Sequence, residues 1–211
     1  MIPARIAELL APFLPISYQL TSDDLDQISI YIDILLRWNS RVNLTAIRDP
    51  EQIVTRHFGE SLFAAHHLFP ARQGQNLTLA DIGSGAGFPG LPLKLWAPEI
   101  SLTLIESNHK KATFLREVSR ALTLTNIDIQ NARAESLTGR TFDLVTLRAV
   151  ERFESILPIA ASLLAKEARL ALLISQPQLT QAHSVITTLN WSQPIPIPHS
   201  KSRILVIATR G

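Results

Sequence analysis

Residues 80–93 read ADIGSGAGFPGLPL, and four of the chain's eight glycines fall within eight consecutive positions of this stretch. They are Gly83, Gly85, Gly87 and Gly90. Glycine has no side chain and adopts backbone conformations that other residues avoid, so such a cluster favours a tight turn whose backbone another molecule can approach closely. The stretch therefore predicts a ligand-binding loop.

The loop lies between a predicted strand, Leu77–Ile82, and a predicted helix, Gly90–Trp96. A helix that begins after such a turn offers free N–H groups and a positive potential to a ligand. Residues 85–90 fit the G-x-G-x-x-G pattern of dinucleotide-binding proteins. Residues 81–87 fit the acidic-x-G-x-G-x-G loop of S-adenosylmethionine-dependent methyltransferases. A turn that binds nothing is the third interpretation.

Two acidic residues help to separate these interpretations. Glu106 follows the second predicted strand, where its carboxylate can accept hydrogen bonds from both ribose hydroxyls of an adenosine, a group that both cofactors contain. Asp81 ends the first strand, where a negative charge would be unfavourable beside a pyrophosphate but would suit a cofactor with an ammonium and a sulfonium group. The sequence therefore favours S-adenosylmethionine over a nicotinamide dinucleotide.

Short β-rich segments alternate with helical segments after residue 76. The predicted strands are Leu77–Ile82, Ser101–Ile105, Ile127–Asn131, Phe142–Leu147, Leu170–Ile174 and Ile204–Thr209, and the predicted helices are Gly90–Trp96, His109–Leu122, Phe153–Leu164 and Pro177–Leu189. This alternation predicts an α/β fold with a mostly parallel sheet covered by helices on both faces. Too few residues precede the last strand for a helical crossover, so it is predicted to pair antiparallel, as in Rossmann-like methyltransferases.

The first third of the chain is predicted to be helical. Thr21 or Ser22 can cap a helix with apolar residues at helical spacing, and Asp49, followed by a proline, can cap a second one. We expect residues 1–72 to form an N-terminal helical region packed on the core, and residues 73–211 to form an S-adenosylmethionine-binding methyltransferase core.

The composition is that of an ordinary globular protein, with 46% hydrophobic and 18% charged residues and a net charge of +2. The absence of cysteine excludes disulfides, thiolate metal sites and a cysteine nucleophile, and it fits a cytoplasmic protein. No apolar run is long enough to cross a membrane, no signal peptide is recognisable, and no pattern of metal ligands stands out. We therefore expect neither a membrane nor a metal partner.

The sequence resembles the bacterial small-subunit ribosomal RNA guanine-N7 methyltransferases, also called glucose-inhibited division protein B, over most of its length. The matching residues are Trp38-Asn39, Asn43-Leu44-Thr45, Arg56-His57, Glu60-Ser61, residues 81–93, Lys110-Lys111, Phe114-Leu115, Arg133-Ala134-Glu135, Phe142-Asp143 and Arg148-Ala149. The resemblance implies methylation of guanine N7 in 16S rRNA, in the small ribosomal subunit or its precursor, by an enzyme that uses S-adenosylmethionine. We expect this enzyme to be a monomer.

The resemblance also implies roles for individual residues. The expected cofactor contacts are Gly83, Phe88, Glu106, Ala134, Glu135 and Arg148, to which the glycine loop adds Ser84, Gly85 and Gly87. The resemblance brings Arg56 toward the same edge of the sheet, and together with clusters of basic residues in the sequence it gives the expected RNA contacts, which are Arg41, Arg56, Lys110 and Lys111. Guanine N7 carries a lone pair and no proton, so no general base is required, and Arg148 and His57 are the candidates for a catalytic role.

Three positions depart from the family pattern. Glu60 stands where the family has aspartate in R-H-x-x-D-S, and Leu147 stands where a small or polar residue precedes the R-A pair. The fifth strand ends in Leu173-Ile174-Ser175-Gln176 in place of Leu-Lys-Gly, which removes a cation from the rim of the expected site. Two alternative functions remain. The protein could be a nicotinamide-dependent oxidoreductase, or a catalytically impaired RNA-binding or ribosome-assembly protein of the same fold.

Overall fold

The computed structural model describes residues 1–16, 18–72, 74, 76–137, 139–150 and 152–211. Its centre is an eight-stranded sheet in the order β3-β2-β1-β4-β5-β8-β6, with β7 paired to β8. The strands are β1 (Thr78–Ile82), β2 (Ser101–Ile105), β3 (Ile127–Gln130), β4 (Phe142–Arg148), β5 (Leu164–Ser175), β6 (Asn190–Trp191), β7 (Ile195–Pro196) and β8 (Arg203–Thr209).

The pairing of the strands confirms the predicted fold class. Strands β1 to β5 pair in parallel, and β8 pairs antiparallel with β5 in a register that runs from Arg169 opposite Thr209 to Ser175 opposite Arg203. The chain order reverses beside β1, which lies between β2 and β4. In sheets of this kind the ligand crevice lies outside the carboxyl ends of the strands at that point.

Helices cover both faces of the sheet. They are α1 (Pro3–Leu10), α2 (Ser22–Asn39), α3 (Pro50–Gln52), α4 (Glu60–Leu68), α5 (Gly90–Trp96), α6 (His109–Ala121), α7 (Phe153–Ser162) and α8 (Gln176–Val185). Because side chains alternate across a strand, Leu79 packs on one face with helices α1, α2, α4, α5 and α6, and Ala80 packs on the other face with α7 and α8. The N-terminal helices thus share one hydrophobic cluster with the sheet.

The predicted caps are present in the N-terminal region. Thr21 forms a capping box with Asp24 at the start of α2, and Asp49 accepts a hydrogen bond from the Gln52 N–H at the start of α3. The sequence predicts one uninterrupted helix after Asp49, whereas the structure has a π-helical segment, Ile53–Gly59, between α3 and α4. Such segments are rare and often lie at functional sites, and this one contains two of the residues singled out above.

The structure differs from the prediction mainly around β5. The predicted strand began at Leu170, whereas β5 begins at Leu164. Its additional first part includes the exposed Lys166 and Glu167, and Glu167 has a positive φ of 62°. The short strands β6 and β7, in the proline-rich segment before β8, were not predicted. The predicted boundary between residues 72 and 73 adjoins Gln73, which lies outside the described residues. Within the described residues, no helix is both long and apolar enough to cross a membrane.

Candidate functional site

A cavity of about 740 Å³ lies at the carboxyl edge of the sheet. Loops that follow the first four strands form most of its wall, and the segment between α2 and α3 closes one side. Its lining includes residues 82–86 and Phe88 from the end of β1 onward, 105–108 from the end of β2 onward, 132–135 after β3, 148–150 from the end of β4 onward, and Leu44, Thr45, Ala46 and His57 from the N-terminal region. The cavity therefore occupies the crevice in which this fold binds ligands.

The glycines of the loop have two different functions. Gly85 lines the cavity with a φ of +56°, and among the described residues the atom that an added Cβ would meet within 4 Å is the Gly83 carbonyl oxygen, at 3.7 Å. Gly87 has a φ of +85°, and a Cβ atom there would collide with the hydroxyl of Tyr31. Gly85 thus leaves room for a ligand, whereas Gly87 leaves room for helix α2.

Glu106 is buried and braces the loop from the second strand. Its Oε2 accepts a hydrogen bond from the Gly85 N–H at 2.9 Å, and its Oε1 accepts one from the Asn108 N–H at 2.7 Å. Each carboxylate oxygen has a second lone pair, so both remain able to accept hydroxyl protons from a ligand in the cavity. The position expected for a ribose contact is therefore chemically suited to one.

Asp81 does not line the cavity, which corrects the argument made from its charge. The side chain is fully buried behind the loop, where its carboxylate accepts hydrogen bonds from the Gly90 N–H at 3.2 Å and the Thr146 hydroxyl at 2.8 Å. Burial raises the pKa of Asp81 to about 7. Asp81 thus ties the start of α5 to β4 instead of facing a cationic ligand.

Arg148, at the end of β4, connects the sheet to the π-helical segment. Its side chain is only 7% exposed. Nη2 donates hydrogen bonds to the Arg56 carbonyl oxygen at 2.6 Å and to His57 Nδ1 at 3.0 Å. The His57 ring stacks on Phe88 with centroids 4.7 Å apart. These contacts fix Arg148 and His57 against the glycine loop.

His57 is neutral at physiological pH and engaged at both ring nitrogens. Burial, together with the nearby Arg148 and Arg56, lowers the pKa of His57 to about 3. Because a guanidinium group can only donate, Nδ1 of His57 accepts and its proton is on Nε2. That Nε2–H donates to Thr45 Oγ1 at 2.8 Å. His57 therefore has no free nitrogen with which to act as a base.

Asn39 holds the segment that carries Thr45. The buried Oδ1 of Asn39 accepts hydrogen bonds from the N–H groups of Leu44 and Thr45, at 3.0 and 3.1 Å, and its Nδ2 donates to the Thr45 carbonyl oxygen at 3.0 Å. No role for Asn39 or Thr45 was predicted from the sequence. The W-N and N-L-T motifs that contain them were the available signal, since a polar residue at the end of a helix often satisfies backbone groups of the following loop.

Glu60 is a buried carboxylate surrounded by three arginines. It is 2% exposed, and its Oε2 lies 3.1 Å from Arg148 Nη2 and 2.9 Å from Arg203 Nε, at ion-pair distance but without the alignment of a hydrogen bond. Its Oε1 lies 3.3 Å from Arg56 Nε. Arg203 on β8 pairs in register with Ser175, at the end of β5 where the family pattern has Leu-Lys-Gly. The neighbouring strand thus supplies a cation that was not predicted from the sequence.

The cavity brings together most of the residues proposed from sequence. Those that line it are Gly83, Ser84, Gly85, Phe88, Glu106, Lys111, Ala134, Glu135, Arg148 and His57. Gly87 lies behind the loop, and Arg41, Arg56 and Lys110 are exposed without lining the cavity. All the proposed cofactor contacts except Gly87 thus line the cavity, whereas of the proposed RNA contacts Lys111 lines it and the other three do not.

Solved structures share the fold of this chain. The magnesium protoporphyrin IX methyltransferase of Synechocystis PCC 6803, solved with bound SAM, has a TM-score of 0.66 at 12% identity and covers 92% of this chain and 100% of its own. The ribosomal protein L11 methylase of Lactobacillus delbrueckii subsp. bulgaricus has a TM-score of 0.59 at 18% identity, covering 72% and 80%. At these identities the likeness shows the fold alone.

Curated relatives are considerably more similar in sequence, and all three described here are named ribosomal RNA small subunit methyltransferase G. The Desulfitobacterium hafniense protein is 43% identical over 72% of this chain, which spans 63% of that relative. The Halorhodospira halophila protein is 36% identical, covering 92% and 91%, and the Bacillus subtilis protein 34%, covering 89% and 83%. The family model described as rRNA small subunit methyltransferase G matches residues 24–197. The chain therefore belongs to the rRNA small subunit methyltransferase G family.

Proposed function

We propose that this protein binds S-adenosylmethionine in the cavity and methylates N7 of a guanine in 16S rRNA, within the small ribosomal subunit or its precursor. The observation that carries the proposal is the juxtaposition of the open Gly85 position with the carboxylate of Glu106 at the carboxyl edge of the sheet, in a chain of this family. The guanine and its N7 atom follow from the resemblance in sequence.

The residues present fit the proposed cofactor. Gly85 leaves the space next to the backbone open, and both oxygens of Glu106 can accept protons from ribose hydroxyls. Ala134 and Glu135, which follow β3, lie where the adenine would extend. A volume of about 740 Å³ falls within the usual range for small-molecule sites and leaves room for part of a second molecule.

The proposed reaction needs positioning more than proton transfer. When bound, S-adenosylmethionine supplies a methyl group on sulfur that the lone pair of guanine N7 takes up as the S–C bond breaks, so positive charge passes to the base and no proton moves. Arg148 donates a hydrogen bond to His57, His57 donates one to Thr45, and the His57 ring stacks on Phe88 of the glycine loop. We assign both of them a positioning role, which accounts for a site without a general base.

The proposal is tested by binding and by product analysis. Calorimetry is expected to show binding of S-adenosylmethionine and of its demethylated product, but not of NAD. Small subunits from a strain that lacks the gene should then gain N7-methylguanosine in 16S rRNA when incubated with the protein and S-adenosylmethionine, as measured by nucleoside mass spectrometry. Binding of NAD instead would support an oxidoreductase, and cofactor binding without any methylated nucleoside would support the impaired RNA-binding protein.

Arg41→Glu is expected to weaken RNA binding and leave S-adenosylmethionine affinity nearly unchanged. Arg41 is exposed and lies four residues before Thr45, which lines the cavity. Loss of one phosphate contact should reduce the slope of log affinity against log salt by about one. The measurement is a salt series of RNA-binding titrations.

Lys166→Glu provides the matched control for Arg41→Glu. It makes the same change in net charge at an exposed position near the start of β5, roughly 30 Å along the strand from the carboxyl edge at Ser175. RNA affinity and salt slope should remain those of the wild type in this variant. Equal effects of the two reversals would mean that Arg41 acts only through net charge and that no RNA surface exists at that position.

A further inference from the structure

The hydroxyl of Thr45 can act only as a hydrogen-bond donor toward a ligand. Its oxygen already accepts two hydrogen bonds, from His57 Nε2–H at 2.8 Å and from the Ile47 N–H at 3.1 Å. The direction of the first is fixed by Arg148, which donates to the other ring nitrogen of His57 and has no capacity to accept. A hydroxyl oxygen has two acceptor lone pairs, and both are occupied here. Only the hydroxyl proton remains.

That proton is available inside the cavity. Thr45 lines the cavity wall, and its hydroxyl donates no hydrogen bond to any residue in the part of the chain that the structure describes. Asn39 holds the backbone of Thr45 through both its N–H and its carbonyl oxygen, so the position of the side chain is set as well. The site therefore presents one fixed donor to a molecule that enters it.

The position of Thr45 favours the RNA base over the cofactor as its partner. Glu106 and Ala134 follow β2 and β3, where the ribose and adenine of the cofactor are proposed to lie. Thr45 is connected through His57 to Arg148, the last residue of β4. Three strand spacings separate β3 from β4 in this sheet, which is about 14 Å. The β4 end thus lies away from the proposed ribose and adenine positions, at the part of the cavity where the acceptor base can enter.

We propose that the Thr45 hydroxyl donates a hydrogen bond to O6 of the target guanine and thereby selects guanine over adenine. This inference rests on the proposed function. The edge of guanine that carries N7 also carries O6, so it presents two acceptors, whereas the same edge of adenine presents the N6 amino donor beside N7. A hydroxyl whose lone pairs are both occupied satisfies O6 but cannot accept from an amino group. Arg148 and His57 act in this selection by fixing the polarity of Thr45.

The test is a double-mutant cycle between the enzyme and the base. The nucleotide that the wild-type protein methylates is first mapped, and 16S rRNA is then ligated with either guanine or 2-aminopurine at that position and assembled into small subunits. 2-Aminopurine keeps N7 but has hydrogen in place of O6. Thr45→Val removes the hydroxyl at nearly constant volume, Thr45→Ser retains it, and Thr55→Val is the control, because the Thr55 hydroxyl already donates to the Glu51 carbonyl oxygen.

The expected result is coupling between Thr45 and O6. Replacement of guanine by 2-aminopurine should lower kcat/KM of the wild type and of Thr55→Val. In Thr45→Val the same replacement should cause a loss of kcat/KM that is about 10-fold smaller. Thr45→Ser should restore most of the difference, and the S-adenosylmethionine affinity of Thr45→Val should match that of the wild type. The inference would be overturned if 2-aminopurine lowered kcat/KM equally in the wild type and in Thr45→Val. It would also be overturned if Thr45→Val lost as much cofactor affinity as it lost kcat/KM. A wild-type protein that binds the cofactor but methylates no RNA would instead refute the proposed function.

Discussion

Gly85→Val is expected to abolish S-adenosylmethionine binding while the protein remains folded. A side chain at this position would project into the cavity, because the Gly83 carbonyl oxygen at 3.7 Å is the only described atom that a Cβ atom would meet within 4 Å. The branched side chain would occupy the space that the cofactor needs beside the backbone. It would also strain the loop, since the φ of +56° is one that valine rarely adopts. Calorimetric titration with the cofactor measures the effect.

Gly139→Val separates the loss of space from the strain. Gly139 has a φ of +84° and is exposed, with nothing described within 4 Å of an added Cβ atom, and it does not line the cavity. A left-handed conformation costs a residue with a side chain roughly 1–2 kcal/mol, so both variants should unfold at similarly reduced temperatures. Cofactor affinity should be lost in Gly85→Val only. A folded Gly85→Val protein with wild-type affinity would show that the cofactor does not approach the loop there.

The features that could be predicted from sequence are those formed by residues close together in the chain. The glycine loop, the strand before it and the helix after it lie within 20 residues, and each has its own local signal of spacing, capping or composition. The antiparallel last strand was predictable because the segment before it is too short for a crossover. Glu106 was predictable as a site residue because carboxyl ends of parallel strands meet at one edge.

The features that could not be predicted depend on contacts between distant residues. Arg148 meets His57 across 91 positions, and His57 meets Thr45 across 12, so no local pattern indicates which atom donates to which. Asp81 has the same sequence signal whether its carboxylate faces the ligand or the β4 strand behind the loop, and the structure gives the second answer. The loss of the family's lysine was visible in the sequence, but the cation that Arg203 supplies from the neighbouring strand was not.

Glu60→Ala is expected to destabilise the protein by about 3–5 kcal/mol, the usual cost of breaking a buried ion pair by removing one partner. Glu60 is the carboxylate at ion-pair distance from Arg148, whose side chain is almost fully buried, and from Arg203. Without it these guanidinium groups would repel each other in a region that water barely reaches. Urea unfolding should show a lower midpoint with an unchanged slope.

Two further variants make the stability prediction specific to the buried charge. Glu60→Gln keeps the volume but not the charge, and it should lose most of the same stability if charge compensation is the cause. Glu51→Ala breaks the exposed pair of Glu51 with Arg5 and should lower the urea midpoint much less than Glu60→Ala, since exposed pairs contribute little. If Glu60→Ala lost no more stability than Glu51→Ala, the arginines would not depend on Glu60. Glu60 lies at ion-pair distance from Arg148, Arg148 donates to His57, and His57 donates to Thr45. A Glu60 variant that remains folded should therefore methylate RNA more slowly than the wild type. The buried carboxylate would then support both the fold and the geometry of the site.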